Sequence, residues 1–239
     1  MQINNKSSAF ILGLFIFLGL AVLGYLLANA AIDVKQYDRS VTVKGLSERE
    51  YQADIVIWPI EFTLADNNLE QLYSTIDNYT YKVKTFLQEN NIAPDEISFS
   101  SPSINDKTAQ QYGGAQAPRY RYSAIQTVTV YSKNIDAVRA VMGKLSELGK
   151  QGIAFSGGGY AHQTEYIFTR LNEVKPEMIE EATRKAREVA EKFASDSESK
   201  LGKIKKASQG QFSIYPRDKN NPHIKKVRVV STVQYYLSD

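Results

Sequence analysis

The side chains most able to do chemistry in this 239-residue chain are few and scattered. The only histidines are His162 and His223, and they fall in separate segments. A zinc site needs three or four converging ligands, and neither histidine has a second one at ligand spacing. Ser197-Glu198-Ser199-Lys200 matches the S-x-x-K spacing of serine acyl enzymes. It sits at the polar end of a charged helical run, and the S-D-N and K-T-G motifs of that class are missing. Gly157-Gly158-Gly159 follows Ser156, but the pattern after it is a strand, so it lacks the helix N-terminus that makes an anion cradle. There is no nucleophile elbow, phosphate-binding loop or dinucleotide fingerprint. Carboxylates are plentiful, yet they alternate with bases along helix faces. With no cysteine, thiol catalysis, thiolate metal sites and disulfides are excluded. The expectation is a protein that is not an enzyme, with no catalytic, cofactor-binding or metal-binding residue and no cofactor.

Two other groups of residues suggest contact rather than catalysis. Lys203, Lys205 and Lys206, with Lys225, Lys226 and Arg228, form two basic runs on expected strands. Together they make a candidate patch for an anionic surface, such as lipid headgroups or the acidic face of a neighbouring subunit. The net charge of +3 and pI of 8.8 are too mild to indicate nucleic acid. Tyr112, Tyr120 and Tyr122 punctuate a polar loop, and tyrosine is enriched at protein interfaces. Ala182, Ala186 and Ala190 give one long helix a small-residue face that permits close approach of a neighbour. These six are the candidate oligomer contacts.

The elements that must position these residues follow from pattern. Residues 9–32 contain no charge and, at about 1.5 Å per residue, form a helix long enough to cross a hydrocarbon core. An uncleaved anchor is expected, although Ala28-Asn29-Ala30 resembles a signal-peptidase site. Lys6 and the amino terminus make 1–8 the cytoplasmic tail, leaving the remainder outside the bacterial inner membrane, in the periplasm. A short polar stalk, 33–40, leads to one extracytoplasmic domain, 41–239. Strands are expected at 41–46 and 53–64, with Pro59 marking an edge or a bulge. A helix capped by Asp66 or Asn67 follows, with Leu72, Ile76, Tyr79, Val83, Phe86 and Leu87 on one face. Strands at 96–104 and 120–131 and a middle helix at 135–148 come next. A second round follows: strand 160–169, helix 176–199 with Met178, Ala182, Val189 and Phe193 on its apolar face, and strands 203–214 and 224–237. The order β-α-β-β therefore occurs twice, at an offset of roughly 106 residues, which makes the fold α+β with internal pseudo-symmetry.

Several stretches together resemble the SIMPL-domain proteins. They are Val41-Thr42-Val43-Lys44-Gly45-Leu46-Ser47-Glu48-Arg49 with Ala53-Asp54, then Asp95-Glu96-Ile97-Ser98, and Tyr120-Arg121-Tyr122 leading to Val130. The Gly157-Gly158-Gly159 turn belongs with them, as does Ala186-Arg187-Glu188-Val189-Ala190-Glu191-Lys192-Phe193 before Leu201-Gly202-Lys203-Ile204. The resemblance covers nearly all of the chain after the anchor. It implies two β-α-β-β units with a linking helix, and a large ring- or cage-like homo-oligomer of the periplasmic immunogenic protein type. It also implies a connection with oxidative-stress tolerance, and it brings no catalytic residue. The function expected is a membrane-anchored, self-assembling cell-envelope protein. The alternative is a monomeric or dimeric binding module for a small molecule or lipid.

Overall fold

The computed structural model describes residues 5–37, 39–109, 119–156 and 163–238. It is a mixed α+β protein with two sheets, preceded by one apolar helix. That helix, α1, spans Asn5–Tyr37, so the stretch expected as a stalk is helical as far as Tyr37. Within it Ala9–Ala30, with a mean hydropathy of 2.6, is long and apolar enough to cross a membrane or to act as a signal sequence. Its large side chains, among them Phe10, Phe15 and Leu20, are exposed.

The chain divides into two compact units. One comprises Met1–Glu48, Lys175–Ser213 and Arg228–Asp239, and the other Arg49–Val174 and Ile214–Val227.

The second of these is built on the antiparallel pair β2 (Ile55–Asp66) and β5 (Tyr122–Ser132). Their register runs without a shift from Val56 opposite Ser132 to Asp66 opposite Tyr122. Alternation sends Val56, Trp58, Ile60 and Phe62 to one face, where they meet Val128 and Val130. Helix α2 (Leu69–Glu89) covers that face with Leu72, Ile76, Val83, Phe86 and Leu87, as its spacing predicts. Its N-cap is Asn68, whose side chain accepts from the Gln71 N–H at 3.2 Å. The expected caps do other work: Asp66 accepts from the Asn68 N–H, and Asn67 accepts from the Arg121 N–H.

Pro59 does not interrupt β2. The odd-numbered residues Glu61 and Thr63 exchange backbone hydrogen bonds with Ser156 and Ala154, so odd positions point away from β5. On that side strand β6 (Glu165–Ile167) ends opposite Ile57, and the N–H that proline lacks falls in a gap in the ladder.

The strand expected at 96–104 is two short ones, β3 (Ile97–Phe99) and β4 (Ser103–Asp106). Both pair with β5, with the register changing by one residue across Pro102. The middle helix is also split, into α3 (Ile135–Met142) and α4 (Ser146–Lys150), with the break after Gly143. Gly149 lies within α4. Gly152 takes the left-handed φ of +88° that ends it, a conformation glycine adopts without steric cost.

The first unit is a sheet in the order β1-β9-β7 under helix α5. The strands are β1 (Ser40–Gln52), β7 (Lys200–Gln209) and β9 (Ile224–Ser238), with β8 (Ser213–Pro216) also pairing with β9. The sequence pattern assigns the opening strand of this second β-α-β-β round to the segment before α5. Among the described residues that segment yields the three residues of β6, which join β2 instead. β1 takes the place, because its longer alternating run turns Val43, Gly45 and Ser47 inward.

Helix α5 spans Leu171–Asp196, so it starts before Pro176 rather than at it. Its buried stripe is Met178, Ala182, Ala186, Ala190 and Ala194. Val189 and Phe193, expected on that face, are exposed. Along the helix Lys185 bonds Glu181 at 2.6 Å, and Arg184 faces Glu188 at 4.0 Å.

Candidate functional site

Each residue expected to act at a surface can be placed. Ala182, Ala186 and Ala190 are fully buried, and what they approach is β1 of the same unit. A Cβ added to Gly45 would lie 1.9 Å from the Ala182 carbonyl oxygen and 2.5 Å from the Ala186 nitrogen. The close approach predicted for a second subunit is thus made inside the chain, with strand backbone resting on helix backbone. Ser47, two residues along the same face, donates to the Glu181 carboxylate at 2.9 Å.

Tyr112 lies outside the described residues, as do His162 and the Gly157–Gly159 turn. Tyr120 remains exposed, with the Arg119 guanidinium near its ring. Tyr122 packs against the cluster of Leu72, Ile76 and Ala124, so its ring serves the fold. Between the two, Arg121 grips Asp106 with its Nε and Nη2, the shorter contact being 2.9 Å. This pair, with Thr108 also donating to Asp106, holds the Asp106 carboxyl well below the usual carboxylate range.

Lys206 and Arg228 are not neighbours. Register puts Lys206 opposite Gln234, and Arg228 lies six residues further along β9, roughly 20 Å at strand rise. Lys225 is buried, on the face opposite Lys226, and burial pulls its ammonium pKa down. Lys205 lies 5.3 Å from the centre of the Tyr236 ring.

The serine of the S-x-x-K spacing is spent on the helix end. Ser197 Oγ donates to the carbonyls of Phe193 and Ala194. Ser199 accepts from Arg39 at 3.2 Å.

Two polar clusters that sequence reasoning missed join residues far apart in the chain. Asp54 accepts from the Thr169 N–H at 2.6 Å, from Thr169 Oγ1 and from Arg170 Nε at 2.6 Å. Burial pushes its pKa up, but the bonds from Thr169 and Arg170 outweigh burial and hold it below its ordinary value. Asp54 and Arg170 border an open cleft of about 330 Å³, shared with Gln52, Lys133, Asn134 and Asp136. Both charge signs line that cleft, and Asp54 is already committed to Arg170. Among the described residues no group of three acidic or histidine side chains is arranged to hold a metal.

In the second cluster Arg139 Nη1 donates to His223 Nε2 at 3.0 Å. Arginine only donates, so Nε2 accepts and the ring proton sits on Nδ1, which is buried without a partner. The Tyr166 ring lies 6.0 Å from the imidazole, and burial raises the Tyr166 pKa. Nothing in local sequence links residues 54 with 170, or 139 with 223.

The arrangement of β1, α5, β7 and β9, with its Gly45–Ala182 contact, lies within the stretch matched by one family model. Residues 41–234 match SIMPL, a family described as a protein of unknown function. The chain belongs to the SIMPL family. The match spans both units and excludes α1, so the SIMPL domain follows the apolar helix. No curated protein matches the chain.

Proposed function

We propose that this SIMPL protein is tethered by Ala9–Ala30 and works by associating with further copies of itself on the membrane surface. The observation that carries the reading is the face of the β2–β5 sheet turned away from α2. α2 covers only one face. On the other, Ile125 and Tyr131 of β5 and Ile167 of β6 are 43%, 48% and 37% exposed. Ile57 lies opposite Tyr131 and Ile55 opposite Ile167, so these four apolar side chains are grouped, while Ile125 lies further along β5, opposite Thr63. Grouped exposed apolar side chains mark contact surfaces. Tethering confines copies to one plane, which favours repeated contact between identical faces.

The orientation that fits is an N-terminal tail on the cytoplasmic side of the bacterial inner membrane with the domain in the periplasm, since Lys6 precedes the span. Any part in oxidative-stress tolerance would not run through thiol oxidation, because the chain has no cysteine.

The test is the mass of the full-length protein in mild detergent, by light scattering. A multiple of the chain mass is expected, reduced to the single-chain mass by Tyr131→Lys. A monomer at micromolar concentration, or an assembly indifferent to Tyr131→Lys and Ile125→Lys, refutes the reading.

A further inference from the structure

We propose that the free edge of β7 accepts an added strand from a polypeptide segment in which acidic and apolar side chains alternate. Three features of the first unit converge on this. α5 is drawn tightly onto β1, with the backbone of Gly45 against that of Ala182. On the β7 side the helix leaves an open pocket of about 210 Å³, bordered by Ile179, Thr183, Ser231 and Val233 and by Ala207, Ser208 and Gln209 of β7. Ser231 is 3% exposed, and its hydroxyl is buried without a partner. A polar atom so placed has lost its water without gaining a hydrogen bond, which is costly unless something enters the cavity to meet it.

The strand beside that cavity is incomplete. Among the described residues β7 pairs only with β9. In an antiparallel pair alternate residues turn their N–H and C=O away from the partner, so the regular stretch from Lys206 to Gln209 turns part of its backbone groups outward from β9. A helix lying beside a free strand edge is the geometry in which a peptide adds as a further strand, with pockets reading its alternate side chains.

Charge says which strand. Ala207 lies opposite Val233 and Gln209 opposite Ser231, so beyond the register shifts on either side of Ile204 these two residues face the helix and the cavity, where no lining residue is charged. Lys206 lies opposite Gln234 on the other face, and Lys203 is exposed nearby. Pairing β7 with β7 of a second copy would bring lysines against lysines, which is destabilising. A segment with carboxylates on the lysine face and apolar side chains on the cavity face satisfies both sides at once. This inference is independent of self-association through the β2–β5 sheet.

The experiment uses full-length protein in zwitterionic detergent, with empty micelles as the blank. The probe is a fluorescent peptide alternating Glu and Val. Controls are the same composition with all Glu before all Val, and the alternating peptide with a central proline. Anisotropy is expected to show binding at least tenfold tighter for the alternating peptide. Lys206→Glu and the cavity-filling Ala207→Trp should each weaken it about tenfold. Hydrogen exchange should slow at amides within 200–209. Equal binding of the blocked peptide, binding without protection of β7, or no binding to a protein of unchanged circular dichroism each overturns the proposal. Tyr131→Lys should leave the peptide affinity unchanged even where it abolishes self-association.

Discussion

Both units press one long helix against an antiparallel sheet, but they fill the contact in opposite ways. Under α2 the interface is made of large side chains: Trp58, Ile60 and Phe62 from the sheet meet Val83, Phe86 and Leu87 from the helix. Under α5 it is made of absence: Ala182 and Ala186 lie over Gly45, and backbone approaches backbone. The first contact draws on apolar area, at roughly 25 cal/mol per Å² buried. The second gains dispersion from close approach, and it leaves no room for growth. Two helices of similar amphipathic appearance therefore have different tolerances. One is sensitive to losing atoms, the other to gaining them.

The sharpest way to break this contrast is by exchange of sign. Phe62→Ala, at a side chain 1% exposed, should cost about 3–5 kcal/mol in a denaturation experiment, through lost transfer energy and the cavity left behind. Gly45→Ala, which adds one methyl group, should cost about 3 kcal/mol, because a Cβ 1.9 Å from the Ala182 carbonyl forces helix and strand apart. Gly149→Ala is the control, since nothing lies within 4 Å of its added Cβ. A cost at Gly149 equal to that at Gly45 would mean that the close contact is not what matters. A Phe62→Ala variant as stable as the parent would remove the area argument for the other unit.

Much of this was legible from residue pattern. The α2 face was readable because its apolar residues recur at helical spacing and are large enough to signal burial. The face of α5 was misread because alanine is a weak signal and Val189 and Phe193 a strong one, yet only small residues fit over Gly45. The alanines were recognised as a close-approach surface, but their partner is β1, far away in sequence. Strand assignment failed at β6 for a related reason. Periodicity identifies a strand without naming its neighbour, and a three-residue strand has too little pattern to compete with β1. Lys225 and Lys226 looked equivalent as consecutive bases. Only alternation along β9 separates them, one buried and one facing out. The clusters around Asp54 and His223 were invisible because their members are brought together by the sheet order alone.

The His223 cluster gives the smallest of the expected effects, and its sign follows from geometry. Nε2 accepts from Arg139, so protonating the ring would aim a second donor at a guanidinium. Burial lowers the His223 pKa below 6.5 and Arg139 adds to that; Asp136 opposes it, Arg217 adds to it, and Asp218 opposes it. A base whose folded pKa is depressed leaves stability intact above its unfolded pKa. As pH falls below about 6.5 the unfolded chain takes up a proton that the folded chain refuses, and stability declines. The parent protein should lose a few degrees of Tm between pH 7 and pH 5 on this account, the scale set by about 1 kcal/mol in a chain of this size. His223→Gln keeps an acceptor for Arg139 and removes the titration, so its Tm should fall less over the same interval. Parallel pH profiles for parent and variant would show that the imidazole is not the group responsible. The contact itself would then have to tolerate a charged ring, which requires Arg139 to swing away into solvent. An unchanged His223 resonance position in an Arg139→Ala variant would be the corresponding observation.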